Sequence, residues 1–272
     1  MVDRPQPPRP ASHDFDHSVR LVHTSDVHIG LDADHPPGDG RRTGSLTFLE
    51  RLFDHAHTID ADLIVIVGDF FDHNRLGESL VADVVAVLAG TALPVVILPG
   101  NHDPYTEQSI YARFASQFPA NVHVLSSSDG QLLALPQIGI QLWGQAHTAY
   151  EDFSPAAATP TWISDSEGPY WRVALAHGST VDADGRVVFG YRIESHELEA
   201  LEAHYIALGH LERPGRVKPM STHAYYSGSP KVARGFTLAD LTPDGVSVQR
   251  ITLTEVGAPS AADAIPRRER TL

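Results

Sequence analysis

The stretch Asp62-Leu63-Ile64-Val65-Ile66-Val67-Gly68-Asp69-Phe70-Phe71-Asp72 decides the fold. Its apolar run is short, unbroken and β-branched, so it reads as a core strand buried on both faces and not as a helix. Gly68 lets the backbone turn, and Asp69 is left just beyond the strand's carboxyl end, where open α/β sheets carry their ligand sites. Taken singly, an acid at a strand end is an ordinary loop residue. The rest of the chain changes that reading.

Upstream, residues 19–23 read as a first strand that runs into Thr24-Ser25-Asp26-Val27-His28. Residues two apart in extended backbone point the same way, so Asp26 and His28 can converge on one point. Leu46, Leu49, Leu52, Phe53 and Ala56 recur at helical spacing and lead into the Asp69 strand. Downstream, Leu80, Val81, Val84, Val85 and Leu88 mark a second helix with Gly90 as its stop. Pro94 then opens a third strand, residues 95–98, which ends in Gly100-Asn101-His102-Asp103. Strands alternating with helices of this length predict βαβ units and a layered, largely parallel α/β sheet. From Val122 onward short strands dominate; one ends on His177 and another on His210, with Glu212 two residues further. Residues 236–241 and 246–253 pair as a closing hairpin across Pro243-Asp244-Gly245.

Composition bounds the function. A chain of 272 residues with 42% hydrophobic content suits one large domain. A net charge of -14 argues against a broad nucleic-acid-binding face. With no cysteine, any metal must be held by histidine, carboxylate, amide or water, and 16 histidines are present. No apolar run reaches membrane-spanning length, and the N-terminus lacks a signal-type apolar segment, so the expected location is the cytoplasm. Residues 1–18, rich in proline and charge, are expected to form a disordered leader, 19–256 the catalytic domain and 257–272 a loose tail.

Five strand ends thus present Asp26 with His28, Asp69, Asn101 with His102, His177, and His210 with Glu212. That mixture of carboxylate, imidazole and amide is what two borderline-to-hard divalent cations sharing one carboxylate require. The set Asp26-x-His28, Gly68-Asp69-x-x-Asp72, Gly100-Asn101-His102-Asp103, His177-Gly178 and Gly209-His210 resembles the calcineurin-like metallophosphoesterases. Within that superfamily, the segments 207–210 and 226–230 look most like the nuclease subunits of SbcCD-type DNA repair complexes. The resemblance implies a four-layer α/β/β/α sandwich of two mixed sheets flanked by helices. It implies one metal on Asp26, His28 and Asp69, and another on Asp69, Asn101, His177 and His210. It also implies phosphodiester hydrolysis by a hydroxide between the metals, with His102 as proton donor, supported by Asp72 or Asp103.

One position departs from the family pattern, Gly-His-x-His, because Glu212 stands where the second histidine belongs. As an oxygen ligand, Glu212 would lower the positive charge of the site and favour manganese or iron over zinc. The alternative is that Glu212 turns away and water or His223 completes the site.

The nucleases of this resemblance continue into a region that helps to hold duplex DNA, whereas here the sequence stops soon after the hairpin. Small phosphodiesters or short single-stranded DNA ends are therefore the expected substrates, with the loop at 146–169, carrying His147, Tyr150 and Trp162, shaping the pocket. Two alternatives stand beside this: a DNA exonuclease subunit working with a partner ATPase subunit, and a non-catalytic scaffold with a degenerate metal site.

Overall fold

A computed structural model describes residues 17–31, 44–164, 170–181, 190–218 and 220–253. The expected tail and all but His17 and Ser18 of the expected leader lie outside the described residues. His17 itself is held: its Nε2 lies 3.1 Å from the Gly139 carbonyl, and its own carbonyl accepts from Trp171 Nε1.

The first sheet is built from β1 (Val19–Thr24), β2 (Leu63–Val67), β3 (Val95–Leu98), β4 (Val122–Val124), β13 (Gly235–Thr242) and β14 (Gly245–Thr252). Its order is β14-β13-β1-β2-β3-β4. β1 to β4 run parallel, and β13 and β14 add an antiparallel hairpin at one edge. The second sheet is built from β5 (Gln131–Leu135), β6 (Ile140–Gly144), β7 (Trp171–His177), β10 (Tyr205–Gly209), β11 (Gly215–Arg216) and β12 (His223–Tyr226), in the order β11-β12-β10-β7-β6-β5. Its four central strands are parallel and both edge pairs antiparallel. The two-residue strands β8 (Ser179–Thr180) and β9 (Arg192–Ile193) pair beside it.

Strand β2 explains the layering. Successive side chains of a strand alternate between faces. Ile64 and Ile66 pack with Leu46, Leu49, Leu52, Val81 and Val84 of helices α1 (Gly44–Thr58) and α2 (Glu78–Leu88), while Leu63, Val65 and Val67 meet Leu142, Val173 and Leu175 of the second sheet. Each such side chain contributes roughly 1.5–3 kcal/mol by leaving water, and a charge at Val65 would break the inter-sheet core. The short helix α3 (Ile110–Arg113) adds Ile110 and Tyr111 to the core beneath the first sheet. A third cluster on the far face of the second sheet gathers Trp143, Ala174, Ile206 and Leu208 with Leu198 of α4 (Ser195–Ala200). The layers are helix, sheet, sheet, helix, as expected.

Three details differ from the sequence reading. β4, counted with the later β-rich half, is the parallel edge strand of the first sheet. In α2 the fully buried residues include Val87, while Leu80 and Val85 lie at the margin of the core. The loop expected to line a pocket is divided: His147 is buried, Tyr150 is exposed, and Trp162 packs against the outer cluster with its Nε1 donating to the Leu201 carbonyl.

Candidate metal centre

All five predicted strand ends converge. The loops after β1 and β2 run side by side, with Asp26 N donating to Gly68 O, His28 N to Asp69 O and Ile29 N to Phe70 O at 2.9–3.0 Å. Asp26, His28, Asp69 and His210 all have positive φ, between 49° and 96°. Non-glycine residues adopt that region at a cost, and such strain concentrates at functional sites.

Asp69 lies at the centre, buried between the sheets. Its Oδ1 accepts from His102 N at 2.9 Å; its Oδ2 is 3.2 Å from His177 Nε2 and 3.9 Å from His28 Nε2. Glycine permits this closeness: a Cβ on Gly100 would sit 2.2 Å from Asp69 Oδ1, and one on Gly68 1.8 Å from His177 Nδ1. The His177 Nδ1 lies 3.1 Å from the Val67 carbonyl, which makes it the protonated nitrogen and leaves Nε2 facing the site. Asn101 Oδ1 is 3.0 Å from both His177 Nε2 and His210 Nδ1.

The charges are tightly interdependent. Burial alone would raise the Asp69 carboxyl, but the adjacent His177, with smaller effects of His28 and His102, holds it well below the usual carboxylate range. Burial would lower His177, yet Asp69 and Asp26 raise it to about 9. The Asp26 carboxyl is pushed up by burial against the opposing influence of His177, with the charge of Asp69 adding to the rise.

Among the described residues, two groups of side chains have ligand atoms within 4.8 Å of one another: His28, Asp69 and His102, and Asp69, His177 and His210. Asp69 belongs to both, and Asn101 adds an oxygen to the second. Asp26, expected as a direct ligand, accepts from His210 N with both carboxylate oxygens at 3.1 Å, which leaves each a further lone pair, and is not in either group. His102 is in the first group. The His102 side chain is 46% exposed, with Nδ1 3.1 Å from the Asp72 carbonyl and its ring edge-on to His28 at 4.7 Å. Asp72 lies beside both histidines, with Oδ1 3.2 Å from His28 Nδ1 and 3.8 Å from His102 Nδ1.

Two further expected residues stand apart from the donor groups. The buried carboxylate of Asp103 accepts from Phe71 N, Gly100 N and the Tyr111 hydroxyl, so it braces the ligand loops from below. Burial and the nearby Asp69 charge push it up to about 6. Glu212 is exposed and joins neither donor group; its carbonyl accepts from Ser229 N, and its backbone packs on Gly228. His223 is likewise in neither group.

Sequence reasoning missed Tyr191. Its ring stands edge-on to His147 at 4.6 Å and to His210 at 5.6 Å, and its hydroxyl donates to the Tyr150 carbonyl. It follows a glycine and precedes a two-residue strand, so no periodicity marks it.

Residues 19–214 match the family model described as calcineurin-like phosphoesterase. The chain belongs to that family. This phosphoesterase is similar to a subunit of the nuclease SbcCD of Bacillus subtilis (strain 168), with 25% identity over 89% of this chain and 71% of that one. It is also similar to DNA double-strand break repair protein Mre11 of Haloferax volcanii, with 25% identity over 86% of this chain and 52% of that one, so it spans about half of that relative's length. A crystal structure of TT1561 of Thermus thermophilus shares the fold, with a TM-score of 0.52 and 14% identity over 85% of this chain and 98% of that one. The family of this phosphoesterase implies divalent cations. The nitrogen and oxygen donors gathered around Asp69 fit them, because that donor set suits borderline divalent ions.

Proposed function

We propose that this phosphoesterase hydrolyses phosphodiester bonds with two divalent cations, one held by Asp26, His28 and Asp69, the other by Asp69, Asn101, His177 and His210. The observation that carries the reading is the single buried Asp69 carboxylate shared by two donor groups at converging strand ends. Bound there, the cations would polarise a phosphoryl oxygen and supply an activated water. The chain's own residues do the rest. Asp69 keeps its negative charge in a buried position because imidazoles surround it. Asp26 fixes the backbone of His210, and Val67 fixes the tautomer of His177. His102, tethered by Asp72 through Nδ1 and open to solvent, holds Nε2 where it can give a proton to a leaving alkoxide.

Small phosphodiesters and single-stranded DNA ends are the proposed substrate class. Support comes from relatives named as nuclease subunits and from the net charge of -14, which opposes the counterion release that drives nonspecific duplex binding. Action on long duplexes would then depend on a partner subunit that supplies the DNA grip, and manganese is the proposed metal. The catalytic unit is taken as residues 19–256.

A panel of bis-p-nitrophenyl phosphate, single-stranded oligonucleotide and duplex, assayed with manganese and with chelator, tests the proposal. Manganese-dependent cleavage of the first two is expected. Full metal binding with no hydrolysis of any substrate would leave a metal-binding scaffold instead.

A further inference from the structure

His147 is not a donor in either metal group, yet it touches three parts of the centre at once. Its Nε2 lies 2.8 Å from the carbonyl of His177, and since a carbonyl only accepts, Nε2 carries the proton. Its backbone accepts from Tyr105 N at 2.7 Å and donates to Pro99 O at 3.4 Å, which grips both ends of the loop that carries Asn101 and His102. Its ring stands edge-on to that of His177 at 5.5 Å, and Phe153 and Tyr191 enclose it at 4.8 and 4.6 Å. The side chain is fully buried, and among the described residues its Nδ1 has no hydrogen-bond partner. A buried polar atom left without a partner costs free energy, so histidine is not here for local stability.

We infer that His147 is a positioning residue for the metal centre: its Nε2–H bond to the His177 carbonyl sets the backbone from which His177 reaches Asp69 and Asn101. The consequence is geometric. His177 Nε2 must stay near Asn101 Oδ1, at 3.0 Å, and Asp69 Oδ2, at 3.2 Å, at the same time, and those partners sit on two other strand ends. His147 ties the strand of His177 to the loop of Asn101, so one residue braces the distance between them. Residues that orient a ligand from behind typically change metal affinity by about 10- to 100-fold when removed.

The inference rests on the metal-centre reading, and the test separates the two. Divalent manganese binding is measured calorimetrically on the parent, on Asp69→Asn, and on His147→Gln, His147→Asn and His147→Leu. Glutamine can place an amide N–H where Nε2 lies; asparagine places it at Nδ1, too short to reach, and leucine offers none. The expected result is affinity within about threefold of the parent for Gln and at least about tenfold weaker for Asn and Leu. Should Leu fail to fold, the Gln and Asn pair decides alone. Equal affinities for all His147 variants, or equal losses for Gln and Asn, would overturn the role of the Nε2 bond. A parent that binds no manganese, or binds it unchanged in Asp69→Asn, would instead overturn the metal centre itself.

Discussion

His23 of the first sheet and Tyr205 of the second meet inside the inter-sheet core, the His23 Nδ1 2.9 Å from the Tyr205 hydroxyl. Both side chains are fully buried. Burial, with a smaller effect of Arg250, lowers His23 from 6.5 to about 3 despite the Leu208 backbone, which acts the other way. Between those values the unfolded chain binds a proton that the folded chain refuses, so this histidine's contribution to stability grows as pH rises through the window and is complete above about 6.5. Asp103 and Asp26, whose carboxyls are raised in the folded chain, act with the opposite slope, so the expected signature is a difference: in chelator-treated protein the denaturation midpoint should rise more steeply, or fall less, from about pH 4 to about 6.5 in the parent than in His23→Gln. Identical slopes for parent and variant would contradict the assignment.

Asp69→Asn should deplete both cations, because the one carboxylate serves both donor groups. Elemental analysis of the purified variant is the check, and retention of two metals per chain would show that Asp69 is not shared.

His102→Gln should keep at least the cation bound by Asp69, Asn101, His177 and His210 while losing about a hundredfold or more in turnover of alkyl esters. Esters with activated leaving groups, such as p-nitrophenolate, should lose much less. Equal losses on both ester types would remove the proton-transfer role.

Glu212→Gln should alter neither metal content nor the pH dependence of hydrolysis, since the side chain is exposed and outside both donor groups. A shift in zinc or manganese preference would return Glu212 to the centre.

Gly68→Ala should destabilise the fold by on the order of 2–3 kcal/mol through overpacking, and should weaken metal binding as well. The new methyl group would fall 1.8 Å from His177 Nδ1, on a backbone whose φ of +77° already disfavours a side chain. Thermal denaturation with and without manganese measures both effects; unchanged stability would mean that the two sheets yield easily at this point.

Much of this organisation is legible in the sequence because it is local. An unbroken β-branched run such as residues 63–67 reports burial on both faces, and a glycine followed by an acid reports a strand end. What is illegible depends on partners far away in the chain. Asp103 looks like a helper of its neighbour His102, but Phe71 N and Tyr111 claim its carboxylate from the β2 loop and from α3. Glu212 occupies a ligand position by spacing, yet the packing of its backbone on Gly228 and its bond to Ser229 carry the loop outward. Asp26 reads as a ligand from its spacing to His28, but its bonds to the backbone N–H of His210 lie far along the chain and have no local signal. His147 and Tyr191 gain their places only from ring contacts across the fold.

The donors of the centre are scattered from His28 to His210 and belong to both sheets. During synthesis, then, the first sheet's share of them, as far as Asn101 and His102, leaves the ribosome well before His177 and His210 do. A partly made chain that lacks the second sheet holds only the first sheet's donors, so Asp69 gains its second set of neighbours only when the second sheet docks.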